Sequence, residues 1–223
     1  MNTNFDESAL LGLFYESNNI REQICKPFTS DGYVCATESH RLILIKPELC
    51  KGEYAPGKLS VKRVINPDNI DITLTLAKLK KAIKKLSTVK EMEVVSPAVK
   101  CKDCDGDGEV EWEYVDTHGY THLDYHKCPV CNGTGNEREA IMKPTGRMIP
   151  HKEAVIGIYE QKFNAEHIVA LRDAMELLGV DKVRYTASHS MGGNTFILSD
   201  GITVIISPNV AYTPGVWVNR KKK

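Results

Sequence analysis

Two short repeats constrain this chain more than anything else in it. Cys101-Lys-Asp-Cys104-Asp-Gly-Asp-Gly108 and Cys128-Pro-Val-Cys131-Asn-Gly-Thr-Gly135 both read C-x-x-C-x-G-x-G, and the 23 residues 105–127 separate Cys104 from Cys128. A two-residue gap lets both thiolates of one knuckle face a single ion, and two knuckles complete a closed tetrahedral shell of four sulfurs. Gly106, Gly108, Gly133 and Gly135 supply the positive φ needed where the chain curls around a metal. A redox dithiol would instead open a helix in a βαβ unit, and glycines follow both pairs here. The pattern predicts one Zn²⁺ held by Cys101, Cys104, Cys128 and Cys131. Asp103, Asp105, Asp107 and Gly108 imitate the start of a calcium loop, but its twelfth position is Tyr114 rather than Glu. His118, His122 and His126 lie between the knuckles, where four cysteines already suffice.

A length of 223 residues leaves room for one ordinary domain around such a module. With 42% apolar and 26% charged residues the composition is that of a globular protein, and no apolar run approaches a membrane span. The start MNTNFDES lacks the basic-then-apolar pattern of a signal peptide, so the expected location is cytoplasmic. Cys25, Cys35 and Cys50 are then expected as reduced thiols packed like small apolar residues. The net charge of zero selects neither nucleic acid nor membrane, so local charge must decide.

Residues 7–15 read as a short helix capped by Asp6 or Ser8. Three β-rich segments follow around Ile24–Thr29, Tyr33–Thr37 and Arg41–Lys46, which predicts an antiparallel meander. Lys51–Asn69, with Gly52, Pro56, Gly57 and Pro67, reads mostly as loop. A brief strand then leads to a helix with Leu76, Leu79, Ile83 and Leu86 on one stripe. Its other side carries Lys78, Lys80, Lys81, Lys84 and Lys85 with no nearby acid in sequence. Such a face is either plainly solvated or matched to a polyanion that relieves its self-repulsion. The strand EMEVV precedes the cysteine module, and EAIMKPTGRMIP returns as strand-like residues around a Pro-Thr-Gly turn. AVIGIYEQKF reads as one strand entering a helix over Ala165–Leu178, with Asn164 as cap and Gly179 as stop. Strands are expected at Lys182–Ala187, Thr195–Leu198 and Ile202–Ser207.

The fold class that follows is α+β: an antiparallel sheet with two helices on one face, interrupted by a small zinc-binding β-hairpin module. The expected domains are 1–96 plus 139–213, a zinc-binding insertion at 97–138, and a basic flexible tail at 214–223.

Each knuckle resembles the repeat of the DnaJ-type cysteine-rich zinc domain over about 35 residues. That family usually carries four repeats and two zincs, whereas two repeats here suffice for one, and no HPD tripeptide of a J domain occurs. The flanks resemble the bacterial DNA polymerase sliding clamp, the β-clamp family. Ala36-Thr37-Glu38-Ser39-His40-Arg41-Leu42 echoes its A-T-D-G-H-R-L, with Glu38 and Ser39 in place of Asp-Gly. Phe163-Asn164-Ala-Glu-His-Ile-Val-Ala-Leu171 resembles its F-N-x-x-Y-L-L-x-A-L helix, and Thr203-Val-Ile-Ile-Ser-Pro208 its closing strand. The resemblance implies a clamp-like domain whose basic helix faces DNA, with replication proteins and further copies of the chain as partners.

Two functions compete on these residues. In one, the chain is a zinc-containing, clamp-like DNA-binding or replication accessory protein, with Lys78, Lys80, Lys81, Lys84 and Lys85 neutralising phosphates. In the other it is a protein-binding adaptor, whose zinc module docks a partner beside Trp112, Tyr114, Tyr120 and Tyr125 unless these pack the hairpin itself. An enzyme is not expected. The chain has no G-x-x-x-x-G-K-[ST], H-E-x-x-H or G-x-S-x-G, and Ser188-His189-Ser190 reads as a loop.

Overall fold

Side-chain caps start two of the helices in this chain, and apolar alternation marks the strands of its largest sheet. In the computed structural model, which describes residues 5–19, 21–62, 64, 71–186, 193–209 and 215–220, helix α1 (Glu7–Gly12) begins where the Asp6 carboxylate accepts the Ala9 N–H at 2.9 Å. This satisfies one of the donors that a first turn leaves open. Strands β1 (Phe28–Ser30), β2 (Tyr33–Thr37) and β3 (Arg41–Ile45) form the antiparallel meander. Residues 63 and 65–69 of the segment expected as loop lie outside the described residues, and β4 (Asp71–Thr75) then runs into α2 (Leu76–Ile83), whose cap is the Thr75 hydroxyl accepting the Lys78 N–H. Six strands follow: β5 (Thr88–Ser96), β6 (Val99–Lys100), β7 (Glu109–Val115), β8 (Thr121–Lys127), β9 (Asn136–Arg138) and β10 (Ile141–Pro150). The chain closes through β11 (Val155–Tyr159), β12 (Gln161–Asn164), α3 (Ala165–Leu177), β13 (Lys182–Thr186), β14 (Asn194–Ser199), β15 (Ile202–Ile206) and β16 (Val216–Arg220). Two compact units result: Met1–Thr88 with Pro150–Lys223, and Val89–Ile149.

In the first unit seven strands form one sheet in the order β1-β2-β3-β15-β14-β13-β4, each neighbouring pair antiparallel. Alternation sends Val34, Ile43, Leu74, Tyr185, Phe196 and Val204 to one face. There they meet Leu10 and Phe14 of α1, Leu79 of α2, and Ile168, Leu171 and Met175 of α3. A second sheet, ordered β12-β11-β16, adds Ile156, Ile158 and Phe163 to the same core. Phe163, Tyr185 and Phe196 stack about each other with ring centroids 4.9 to 6.4 Å apart, and the Tyr185 hydroxyl donates to Asn194 Oδ1 at 2.8 Å. Phe28, Cys35, Leu42, Leu44 and Ile205 point to the opposite face, where Val61 of the loop after β3 covers them.

The structure corrects several expectations. Among the described residues three helices and a second sheet serve the core, where two helices on a single sheet were expected. AVIGIYEQKF is a hairpin of β11 and β12, because Tyr159 turns the chain at φ 57° and Ile156 then pairs with Phe163. Pro-Thr-Gly makes no turn: β10 runs through Pro144 and Gly146 and pairs with β5. Asn164 precedes α3 without capping it, since its side-chain oxygen accepts a hydrogen bond from Asn209 instead. Of the expected flexible tail at 214–223, Val216–Arg220 is a strand parallel to β11, and residues 221–223 lie outside the described residues. Ser188-His189-Ser190 lies outside them as well. Cys35 is buried, which pushes its thiol up to about 12, whereas Cys25 and Cys50 are only half-buried.

Candidate functional site

Val89–Ile149 contains two short strand pairs, β6 with β9 and β7 with β8, and between them the four cysteine sulfurs converge. All four lie within 4.8 Å of one another and all four residues are buried. Cys101 Sγ is 3.8 Å from Cys128 Sγ, and Cys104 Sγ is 3.7 Å from Cys131 Sγ. Tetrahedral coordination with metal–sulfur bonds near 2.3 Å requires sulfurs about 3.8 Å apart, the spacing of these two pairs, and a cluster of four such thiols could hold a metal ion. None of the sulfurs is linked in a disulfide.

The repeat C-x-x-C-x-G-x-G explains how the cluster is closed. Gly108 N–H donates to Cys104 Sγ at 3.2 Å, and Gly135 N–H donates to Cys131 Sγ at 3.3 Å. The two knuckles also clasp each other: Cys101 N–H donates to Gly135 O and Cys128 N–H to Gly108 O, both at 2.8 Å. At φ +81° Gly108 leaves no room for a side chain, since a Cβ would sit 2.6 Å from Gly133 O. At Gly135, φ +74°, a Cβ would sit 2.3 Å from Gly106 O. Burial pushes Cys101 up to about 11, while at Cys131 burial is outweighed by the N–H groups of Gly135 and Gly133, which bring it to about 7.

His118, His122 and His126 take no part in the cluster. His122 Nε2 lies 2.9 Å from Asp116 Oδ2 and its ring stacks on Tyr114, and the His126 and Trp112 rings meet in a T-shaped pair with centroids 5.6 Å apart. Trp112, Tyr114, Tyr120 and Tyr125 are 53 to 69% exposed, so they do not form a core for the hairpin.

The lysine helix belongs to the first unit. Leu79 and Ala82 are buried, Leu76, Ile83 and Leu86 pack against the same core, and Lys78, Lys80, Lys81, Lys84 and Lys85 are all exposed. The helix ends at Ile83, so Lys84 and Lys85 occupy the turn beyond it. Lys80 has an acidic neighbour distant in sequence: its Nζ is 2.7 Å from Glu176 Oε1 of α3. Sequence separation hid this contact, because it depends on α2 and α3 packing side by side.

The three clamp-like segments of the sequence meet in the same unit. Arg41 of β3 pairs with Ile206 of β15, and Arg41 Nη1 donates to His167 Nδ1 of α3 at 3.2 Å. The His40 ring stacks 6.0 Å from that of His167. Burial, then the charges of Arg41 and His40, hold His167 down at about 4, so it is a neutral acceptor at neutral pH. In the turn between β2 and β3, Glu38 Oε1 accepts the N–H groups of His40 and Arg41, while Ser39 is held at φ 97°. A side chain strains that conformation by about 1–2 kcal/mol. Ser39→Gly is therefore expected to stabilise the first unit by about 0.5–1 kcal/mol after the added freedom of the unfolded glycine is counted. Denaturant titration checks this, and an unchanged or lower midpoint refutes it.

Beside that turn lies a groove of about 790 Å³. Ile24, Leu42, Val61 and Val64 make its apolar floor, with Arg21 and Lys58 at its rim. Sequence reading missed it, since its walls come from strands and loops far apart in the chain whose closeness no local pattern encodes.

Among solved structures the chain is similar to bacterial sliding clamps. A DnaN sliding clamp (DNA polymerase III subunit beta) from Bartonella birtlesii bound to griselimycin is 10% identical with a TM-score of 0.47, covering 91% of this chain and 63% of that one. The Helicobacter pylori beta clamp bound to a DNA ligase peptide is 12% identical with a TM-score of 0.44, covering 91% and 64%. A DNA polymerase sliding clamp from Bacillus subtilis is 11% identical with a TM-score of 0.43, covering 93% and 64%. The chain thus spans less than two thirds of the length of these clamps. No protein-family model and no curated protein matches the sequence. Among the described residues, no helix is long and apolar enough to cross a membrane.

Proposed function

We propose that this chain is a non-enzymatic, clamp-like DNA-binding or replication accessory protein stiffened by one structural Zn²⁺. The observation that carries the reading is the face of α2 and the turn after it. Its apolar stripe is anchored in the core, and Lys78, Lys81, Lys84 and Lys85 stand exposed beside it. Ammonium groups at this spacing neutralise backbone phosphates and release counterions without reading bases. The clamp-like sequence segments, joined through Arg41 and His167, support the same reading.

Cys101, Cys104, Cys128 and Cys131 would hold the zinc, and four thiolates leave no open position for a reacting water. Its contribution is folding energy. The groove beside Leu42 suits a short apolar segment of a protein partner, with Arg21 and Lys58 available to acidic neighbours in that segment.

Binding of duplex DNA measured at two salt concentrations tests the reading. Lys81→Glu and Lys85→Glu are each expected to lower affinity about eightfold at about 0.1 M salt and the salt slope by about one, equally for all sequences. Lys80→Glu should cost less, because Lys80 already shares its charge with Glu176. Unchanged affinity in the Lys81 and Lys85 variants, or no affinity in the parent, refutes it.

A further inference from the structure

We propose that the ribbon of β7 and β8 is a docking surface for an extended segment of a partner protein with lysine or arginine at alternate positions. The ribbon is an antiparallel pair of seven residues each, and among the described residues no further strand bonds to either outer edge. Every residue of both strands except Val110 is exposed, including Trp112, Leu123 and Tyr125 at 53, 60 and 65%. Apolar surface of that kind on both faces of one small ribbon marks an interaction site.

Charge selects the occupant. Residues 109–127 carry Glu109, Glu111, Glu113, Asp116 and Asp124 against the single cation Lys127, a net charge of −4 with histidines neutral. Exposed aromatics alone would also suit stacked bases, but a ribbon this acidic repels phosphates. The geometry is selective as well. Glu109, Glu111 and Glu113 lie on one face, opposite Lys127, Tyr125 and Leu123, and alternate residues of a strand repeat at about 7 Å. An extended basic segment places its side chains at the same repeat, and an open edge offers it main-chain hydrogen bonds. Asp116 is not part of this row: it accepts the N–H groups of His118 and Tyr120 and holds the hairpin turn. Trp112, on the other side of the ribbon, offers its ring to a cation that wraps the edge, while Tyr114 beside it is already stacked on His122. None of this depends on whether α2 binds DNA.

The test uses the full zinc-loaded chain and a fluorescent peptide of alternating lysine and threonine. Controls are a peptide of the same composition with its lysines in one block, an alternating glutamate–threonine peptide, and single-stranded oligothymidine. The alternating basic peptide should bind, and Glu111→Gln with Glu113→Gln should weaken it about tenfold. Both side chains are exposed, and a glutamine oxygen at 111 can still accept the Tyr125 hydroxyl that Glu111 Oε2 holds at 3.0 Å, so the fold and the zinc content of that variant should be unchanged. Trp112→Ala should also weaken the peptide, while Lys81→Glu should leave it unaffected. Equal binding of the block or acidic peptide, tighter binding of oligothymidine to the ribbon, undiminished affinity in the double glutamine variant, or no binding at low salt each overturns the proposal.

Discussion

Stripping zinc from the protein with a strong chelator at neutral pH is expected to unfold the segment from β6 to β9 while the first unit keeps its thermal transition. The reason is the absence of any other core. In Val89–Ile149 the buried residues are the four cysteines with Gly108 and Gly135, and Val110 is the one apolar side chain packed partly against them. A small ribbon without apolar burial is marginal on its own, and binding a structural zinc contributes about 10–16 kcal/mol of apparent free energy in comparable modules. The first unit closes its own core with residues from α1, both of its sheets and α3, a cluster that includes none of the four cysteines. Metal analysis should give one zinc per chain, and hydrogen exchange should show amides of 101–135 losing protection after chelation. Cys128→Ser should have the same effect. A stoichiometry other than one, or protection that survives metal removal, would falsify the assignment of Cys101, Cys104, Cys128 and Cys131.

Gly135→Ala is expected to weaken zinc binding by about a hundredfold, nearly as disabling as losing a ligand, although the residue coordinates nothing. Two costs combine. An alanine at φ +74° is strained by about 1–2 kcal/mol, and its Cβ would overlap Gly106 O, a backbone atom that moves only with its whole knuckle. That movement also disturbs the Gly135 N–H bond to Cys131 Sγ and the clasp to Cys101 N–H. Gly108→Ala should behave alike through its contact with Gly133 O. Gly119→Ala is the control, since its φ is +83° with nothing within 4 Å of the added carbon. It should cost only the conformational strain, about 1 kcal/mol, and leave zinc affinity unchanged. If the Gly119 and Gly135 variants bound zinc equally well, crowding between the knuckles would not be what the glycines prevent.

Features carried by neighbouring residues are legible in the amino-acid sequence itself. The Asp6 cap and the Gly179 stop after α3 rest on contacts within a few residues, and the meander from Phe28 to Ile45 and the apolar stripe of α2 rest on local periodicity and turn residues. The convergence of four cysteines is legible for the same reason, as each C-x-x-C sets its own pair and the glycines set the turns. Where a local signal has two possible partners, the sequence misleads. Asn164 has the chemistry of a cap but bonds to Asn209, and Pro144 with Gly146 has the chemistry of a turn but lies within a strand paired to β5.

What only the tertiary structure decided depends on residues far apart in sequence. Composition and spacing do not reveal that Glu176 reaches Lys80, that His167 accepts from Arg41, or that Val216–Arg220 joins β11 as a parallel strand. Nor do they say which side of the ribbon its glutamates share, because that follows from the register of Glu111 against Tyr125. Short-range geometry is set by bonds and dihedrals that each residue carries with it. Long-range geometry is chosen by the burial of the whole core, and the sequence encodes that choice only collectively.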